Sequence, residues 1–122
     1  MILVDTSLWV DHLRKSNSAL SRILEKGEVL THPFVIGELA CGNLKRRAQI
    51  LGLMELIPMS TLAEHDEVMR LVELRNLYGK GIGWIDAHLV ASALLSDATL
   101  WTLDNRLRQI AVQIGLAYSK EG

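Results

Sequence analysis

The sequence has one cysteine, two prolines and a single phenylalanine in 122 residues. A lone Cys41 cannot close an intrachain disulfide, so folding cannot depend on an oxidising compartment and a cytoplasmic protein is expected. Pro33 and Pro58 are isolated, and there is no Pro/Ser-rich linker, internal repeat or shift in composition at which to divide the chain. One domain over residues 1–122 is expected, with roughly two-thirds of the unfolded surface buried around a single core. No apolar run reaches about 18 residues, which excludes a transmembrane helix. The opening MILVDTSLWVD lacks a basic leader and a small-residue cleavage site and carries Asp5 and Asp11, so a signal peptide is not expected and the mature chain should begin at Met1. Charge of one sign is missing too. Thirteen Lys and Arg against fourteen Asp and Glu give a net charge of -1, which excludes the blanket electrostatic grip of a nucleic-acid coat protein.

What is present is an ordinary globular composition, 49% apolar and 22% charged, arranged as short apolar runs alternating with helical ones. Ile2 to Asp5, Val29 to Thr31, Leu56 to Pro58, Thr99 to Thr102 and Leu116 to Tyr118 are expected to be short strands. Helices are expected over Leu8 to Arg14, Ser18 to Lys26, Val35 to Leu53 with a break at Gly42, Leu62 to Tyr78, Ile85 to Leu95 and Asn105 to Ile114. The segment from Ile85 to Leu95 is apolar nearly all round, as a helix packed on several sides must be. Strands alternating with helices imply an α/β fold, a three-layer α/β/α sandwich around a short-stranded parallel sheet.

Ligands of such sheets bind beyond the carboxyl ends of the strands. Four acids fall there: Asp5 closes the first strand, Glu38 lies in the helix after the second, Asp86 opens the near-apolar helix, and Asp104 follows TLWT. Two unit charges 4 Å apart repel by about 4 kcal/mol at an effective dielectric near 20, so a shared edge needs a cation. No lysine or arginine adjoins these acids in sequence, and the cysteine and histidines lack zinc-like spacing. A hard, oxygen-seeking ion, Mg²⁺ or Mn²⁺, is the natural candidate, and it can activate water for attack on a phosphoryl group. Setting the four acids aside leaves thirteen basic residues against ten acidic ones, so the remaining surface can attract a polyanion mildly.

The same residues carry a family resemblance. ILVDTSLWVDHLR, GEL around Glu38, IDAHLVASAL around Asp86 and TLD around Asp104 resemble, in order and spacing, the PIN-domain ribonucleases, most closely the VapC-type toxins of bacterial toxin–antitoxin pairs. The resemblance implies a parallel-sheet α/β/α fold, Mg²⁺- or Mn²⁺-dependent endonucleolytic cleavage of RNA, a homodimer, and neutralisation by a cognate antitoxin. Asp5, Glu38 and Asp86 match the family's three core acids, and Asp104 matches a fourth position. Thr6 or Ser7 is expected to add a hydroxyl. GKGIG from Gly79 to Gly83 departs from the family pattern and leaves the shape of the loop beside Asp86 open.

Plainer roles exist for each feature. Asp5 can be a strand-end turn residue, Asp86 can complement a helix dipole for about 0.3–1 kcal/mol, and Asp104 or Asn105 can cap the last helix. Glu28 rivals Glu38 but follows Gly27 in a polar turn. None of these explains four acids converging. Asp86 and His88 point about 200° apart on a helix, and structural roles are expected for His12, His32, His65 and His88. Trp101 is expected in the core, whereas Trp84 leaves substrate contact open, as does the basic run Lys45, Arg46, Arg47. The glycines of residues 79–83 lack the GK[ST] of a phosphate loop. A phosphoacceptor receiver domain would need an acid after the third strand, where LIPMST has none, and a haloacid-dehalogenase-type phosphatase would need DxD where Asp5-Thr6-Ser7 stands. The remaining rival is a non-catalytic RNA-binding or scaffold module, a class in which acids are expected to be lost.

Overall fold

Ile2, Leu3 and Val4 are all buried, and a strand covered on both faces belongs inside a parallel sheet flanked by helices. The computed structural model describes residues 1–120 and places them as β1 (Ile2–Val4), the centre of a three-stranded parallel sheet. β2 (Val29–Leu30) lies on one side, with Ile2 opposite Val29, and β3 (Thr99–Trp101) on the other, with Val4 opposite Trp101. Around the sheet run α1 (Thr6–Lys15), α2 (Ser18–Glu25), α3 (Pro33–Cys41), α4 (Arg47–Met54), α5 (His65–Leu74), α6 (Trp84–Leu95) and α7 (Asn105–Ile114). This is the α/β arrangement expected from the alternation of elements.

The sheet is narrower than the five expected strands would make it. In place of the fourth and fifth strands there are only single bridges, Thr31 with Met59, one residue beyond the expected Leu56–Pro58, and Leu100 with Ala117 inside Leu116–Tyr118. The first is closed by Thr31 N–H on the Pro58 carbonyl at 2.9 Å and Ser60 N–H on the Thr31 carbonyl at 2.8 Å. Extending it backward would require an N–H from Pro58, which proline does not have. Helix boundaries also shift. The stretch expected over Val35–Leu53 does break at Gly42, the residue that ends α3; it begins two residues earlier because Pro33 occupies the first turn of α3, where its missing N–H costs nothing, and it resumes as α4 only after Arg46 at φ 53°. The expected helix over Leu62–Tyr78 shortens to α5, which starts where the Glu64 N–H donates to Glu67 Oε1 at 2.8 Å.

Helix α6 is buried without interruption from Ala87 to Ala93. Its small residues allow close approach, and Val68 of α5 packs against Ala87 and Ala91. In α1 and α2, Leu8, Trp9, Leu20 and Ile23 are all committed to the core. Trp101 is buried as expected and packs against Tyr118 at 4.9 Å.

His32 starts α3 in the manner of a capping asparagine, its Nδ1 accepting from the Phe34 N–H at 3.0 Å. Its Nε2 is buried with no hydrogen-bond partner among the described residues, and burial, followed by repulsion from His88, lowers its pKa from 6.5 to about 4. The folded state therefore keeps this imidazole neutral while the unfolded chain protonates below 6.5, so its contribution is present at neutral pH and lost as pH falls from 6.5 towards 4. His32→Asn retains a cap acceptor and removes the titration. Urea unfolding at pH 7 and pH 5 should show wild type losing about 1–2 kcal/mol more than the variant on acidification. Equal losses would show that His32 is as easily protonated in the fold as in the open chain.

Candidate active site

Because the strands are parallel, the chain leaves β1, β2 and β3 at one edge of the sheet, and each exit delivers polar side chains there. Asp5 follows β1 directly, and its N–H donates to the Trp101 carbonyl at 2.9 Å, which ties the exit of β1 to the exit of β3. Its carboxylate is buried. Oδ2 accepts from Ser7 Oγ at 2.8 Å and from Thr102 Oγ1 at 2.7 Å. Both hydroxyls are themselves held by backbone donors, Ser7 Oγ accepting from Leu103 N–H at 2.9 Å and Thr102 Oγ1 from Asp104 N–H at 3.0 Å. Two parallel relays of N–H to hydroxyl to carboxylate thus polarise one another and converge on a single oxygen of Asp5. Its other oxygen, Oδ1, accepts no hydrogen bond among the described residues.

Glu38 is delivered by α3, and its Oε1 accepts from Thr6 Oγ1 at 2.6 Å, across 32 residues of sequence. The hydroxyl expected from Thr6 or Ser7 is therefore two hydroxyls, one on each acid. Asp86 lies in the first turn of α6, where Oδ2 accepts from Gly83 N–H at 3.3 Å. Asp104 does cap α7, its Oδ1 accepting from Leu107 N–H at 2.9 Å. That bond uses one oxygen and leaves Oδ2 out of the cap. The residue missed in the sequence is Thr102. Threonine at a strand end is common, and only the pairing of β1 with β3 shows that it meets Asp5 across 97 positions.

The charges of the other three acids act on Asp86. Burial raises the pKa of Asp86 first, the Gly83 N–H opposes it, and the charges of Asp5, Asp104 and Glu38 raise it further. Among the described residues the one ion pair is Lys15 with Asp11, so no lysine, arginine or histidine neutralises any of the four. The carboxylates converge without closing: no three His, Cys, Asp or Glu side chains among the described residues already form a ready metal cluster. An all-oxygen donor set with net negative charge and no internal cation suits a hard divalent ion.

The glycine loop beside Asp86 now has a shape. Gly81 takes φ +82°, and a Cβ there would lie 2.5 Å from Cδ and 2.7 Å from Nη1 of Arg106 on α7, so the missing side chain leaves the space that Arg106 occupies. In the basic run, Arg47 is engaged with the Ala40 carbonyl near the end of α3, which gives it a helix-terminating role.

The sequence matches the PIN domain family over residues 2–113. The chain belongs to the PIN domain family. This PIN domain is 44% identical over 122 residues to Ribonuclease VapC32 of Mycobacterium tuberculosis, in both strain CDC 1551 / Oshkosh and strain ATCC 25618 / H37Rv, covering 99% of this chain and 98% of the relative. All four acids lie inside the matched span. Among its described residues no helix of this PIN domain is long and apolar enough to cross a membrane.

Proposed function

We propose that this PIN domain is a metal-dependent endoribonuclease and the toxin of a toxin–antitoxin pair, acting in the cytoplasm. The observation that carries the reading is the edge formed by Asp5, Glu38, Asp86 and Asp104, where the charges of three acids oppose that of Asp86 and no cationic side chain among the described residues pairs with any of the four. The matched family and the relative called Ribonuclease VapC32 support it. Asp5, Glu38, Asp86 and Asp104 would hold one or two divalent cations, Mg²⁺ or Mn²⁺. Such an ion supplies an acidified water and neutralises charge developing on the phosphoryl oxygens. The chain's own part is positional. Ser7 and Thr102 aim the Asp5 carboxylate, Thr6 steadies Glu38, and Asp104 divides its oxygens between the α7 cap and the site.

The test is cleavage of a single-stranded RNA by the purified protein with and without added Mg²⁺ or Mn²⁺. Cutting that stops in EDTA and returns with the ion is expected. An RNA shifted on a gel yet left intact in both ions would instead assign the non-catalytic binding module.

The antitoxin is proposed to seat a helix beside α1 and α2 and to extend a basic side chain towards Asp5 and Asp86. Much of the apolar supply expected for that surface is spent elsewhere, because Leu8, Trp9, Leu20 and Ile23 are core. Val10 and Leu13, one helical turn apart on α1, remain exposed. A small protein encoded beside this one should, on coexpression, abolish cleavage and slow hydrogen exchange over Leu8 to Leu24. Tight binding that leaves both unchanged would refute this mode of neutralisation. A homodimer is proposed on the exposed run Leu53, Leu56, Met59 and Leu62, which a second copy could cover. Light scattering of the isolated chain should give twice the mass of one copy.

A further inference from the structure

Two exposed aromatic rings accompany the acids. Trp84 opens α6 two residues before Asp86, and Phe34 stands one helical turn before Glu38 on α3. Trp84 is 41% and Phe34 37% exposed, in a chain only 5% aromatic whose Trp9 and Trp101 are both buried. They are also joined. His88, one turn after Trp84, lies edge-to-face with both, its ring centroid 4.7 Å from Trp84 and 4.9 Å from Phe34. His65 extends the row 5.1 Å beyond Trp84. The row therefore links the helix of Asp86 to the helix of Glu38. Phe34, alone of the row, also borders an open recess of about 430 Å³ together with Ile85 and Glu38, and no lysine or arginine among the described residues lines it. Glu38 thus belongs both to the acidic edge and to an apolar recess.

A phosphate could not be held in a recess that offers no cation and one carboxylate. The uncharged, flat part of a nucleotide could, because a nucleobase stacks on aromatic rings whatever its identity. We propose, building on the ribonuclease reading of the acids, that the Trp84–His88–Phe34 row and its recess form a base-stacking subsite. It takes one unpaired base of the RNA adjoining the phosphate that is cut. The base must leave its helix to enter, so the subsite selects loops and single strands over duplex.

The experiment compares wild type, Trp84→Ala and Trp84→Phe on a single-stranded oligoribonucleotide that wild type cuts in Mg²⁺ or Mn²⁺. The same oligomer is then used with an abasic ribose in turn on each side of the cut. One abasic position should lower wild-type kcat/KM by about 10- to 100-fold, the scale of losing one stacked base. Trp84→Ala should lose a similar factor on the intact RNA, lose nothing further on that abasic RNA, and recover most of it as Trp84→Phe. Circular dichroism melts verify that the variants fold. Additive losses, or a Trp84→Ala protein that cuts intact RNA at the wild-type rate, would overturn the subsite. So would a Trp84→Ala protein altered only in oligomeric state or in antitoxin capture, which would assign the rings to a protein interface. Should wild type cut no RNA, the ribonuclease reading fails separately. Anisotropy with the intact and abasic oligomers in EDTA still tests the rings, a ring-dependent preference for the intact strand supporting the subsite and equal binding refuting it.

Discussion

Replacing Asp86 or Asp5 by alanine is expected to lower RNA cleavage by at least about 100-fold, the scale of removing one preorganised electrostatic group from an active site. The two losses arise differently. The charge of Asp86 is opposed first by burial and then by the charges of Asp5, Asp104 and Glu38, all of which raise its pKa. Truncating it removes the carboxylate that α6 brings to the acidic edge. Truncating Asp5 also orphans the Ser7 and Thr102 hydroxyls that converge on its Oδ2, so its variant should lose stability as well as rate. Single-turnover cleavage in saturating Mg²⁺ or Mn²⁺ measures the chemical step apart from product release. An Asp86→Ala protein cutting within a few-fold of wild type would remove Asp86 from the mechanism.

In EDTA at neutral pH, Asp86→Asn is expected to melt above wild type, although it should cut RNA poorly. Asparagine still offers an oxygen to the Gly83 N–H while removing a charge that three other acids oppose. The pH dependence has a definite sign. Asp86 has a folded pKa above 3.8, so its charge weakens the fold at pH values above the raised pKa. That penalty fades on acidification towards 3.8, where the folded and unfolded chains are both protonated. The gap between variant and wild type should therefore narrow as pH falls. Added Mg²⁺ should reverse the order at neutral pH, because an ion bound only by the native state at 100 times its Kd stabilises by about 2.7 kcal/mol. The variant should gain much less. Equal Mg²⁺-induced shifts in the two proteins would mean that Asp86 does not face the ion. Asp5→Asn is a less clean probe, since its carboxylate oxygen also holds two hydroxyls.

Much of the site was legible because it depends on where strands stop. A buried run such as Ile2–Val4 ends visibly in Asp5, and TLWT ends in a polar stretch carrying Asp104, so the exits could be marked without coordinates. Glu38 was legible for a related reason, lying in the helix that follows β2, whereas Asp86 was legible because it opens the near-apolar helix α6, which follows a glycine loop rather than a strand. The hydroxyl relays were not. Ser7 and Thr102 are ordinary residues whose meeting at Asp5 follows from strand order β2-β1-β3, which places β1 beside β3.

The residue sequence alone determined the alternation of apolar strands with helices, the four acids at their ends, and the lack of any neighbouring base to neutralise them. These are local properties, set by hydrophobic period and by what immediately follows each buried run. Tertiary structure decided that Pro58 limits one outer strand to a single bridge and that Leu8, Trp9, Leu20 and Ile23 go to the core rather than to a partner surface. It also decided that Trp84, His88 and Phe34 join into one row between two acid-bearing helices. Each of those depends on which distant segments pack together, and packing partners are chosen by the whole chain's competition to bury apolar surface, which no single stretch of sequence encodes.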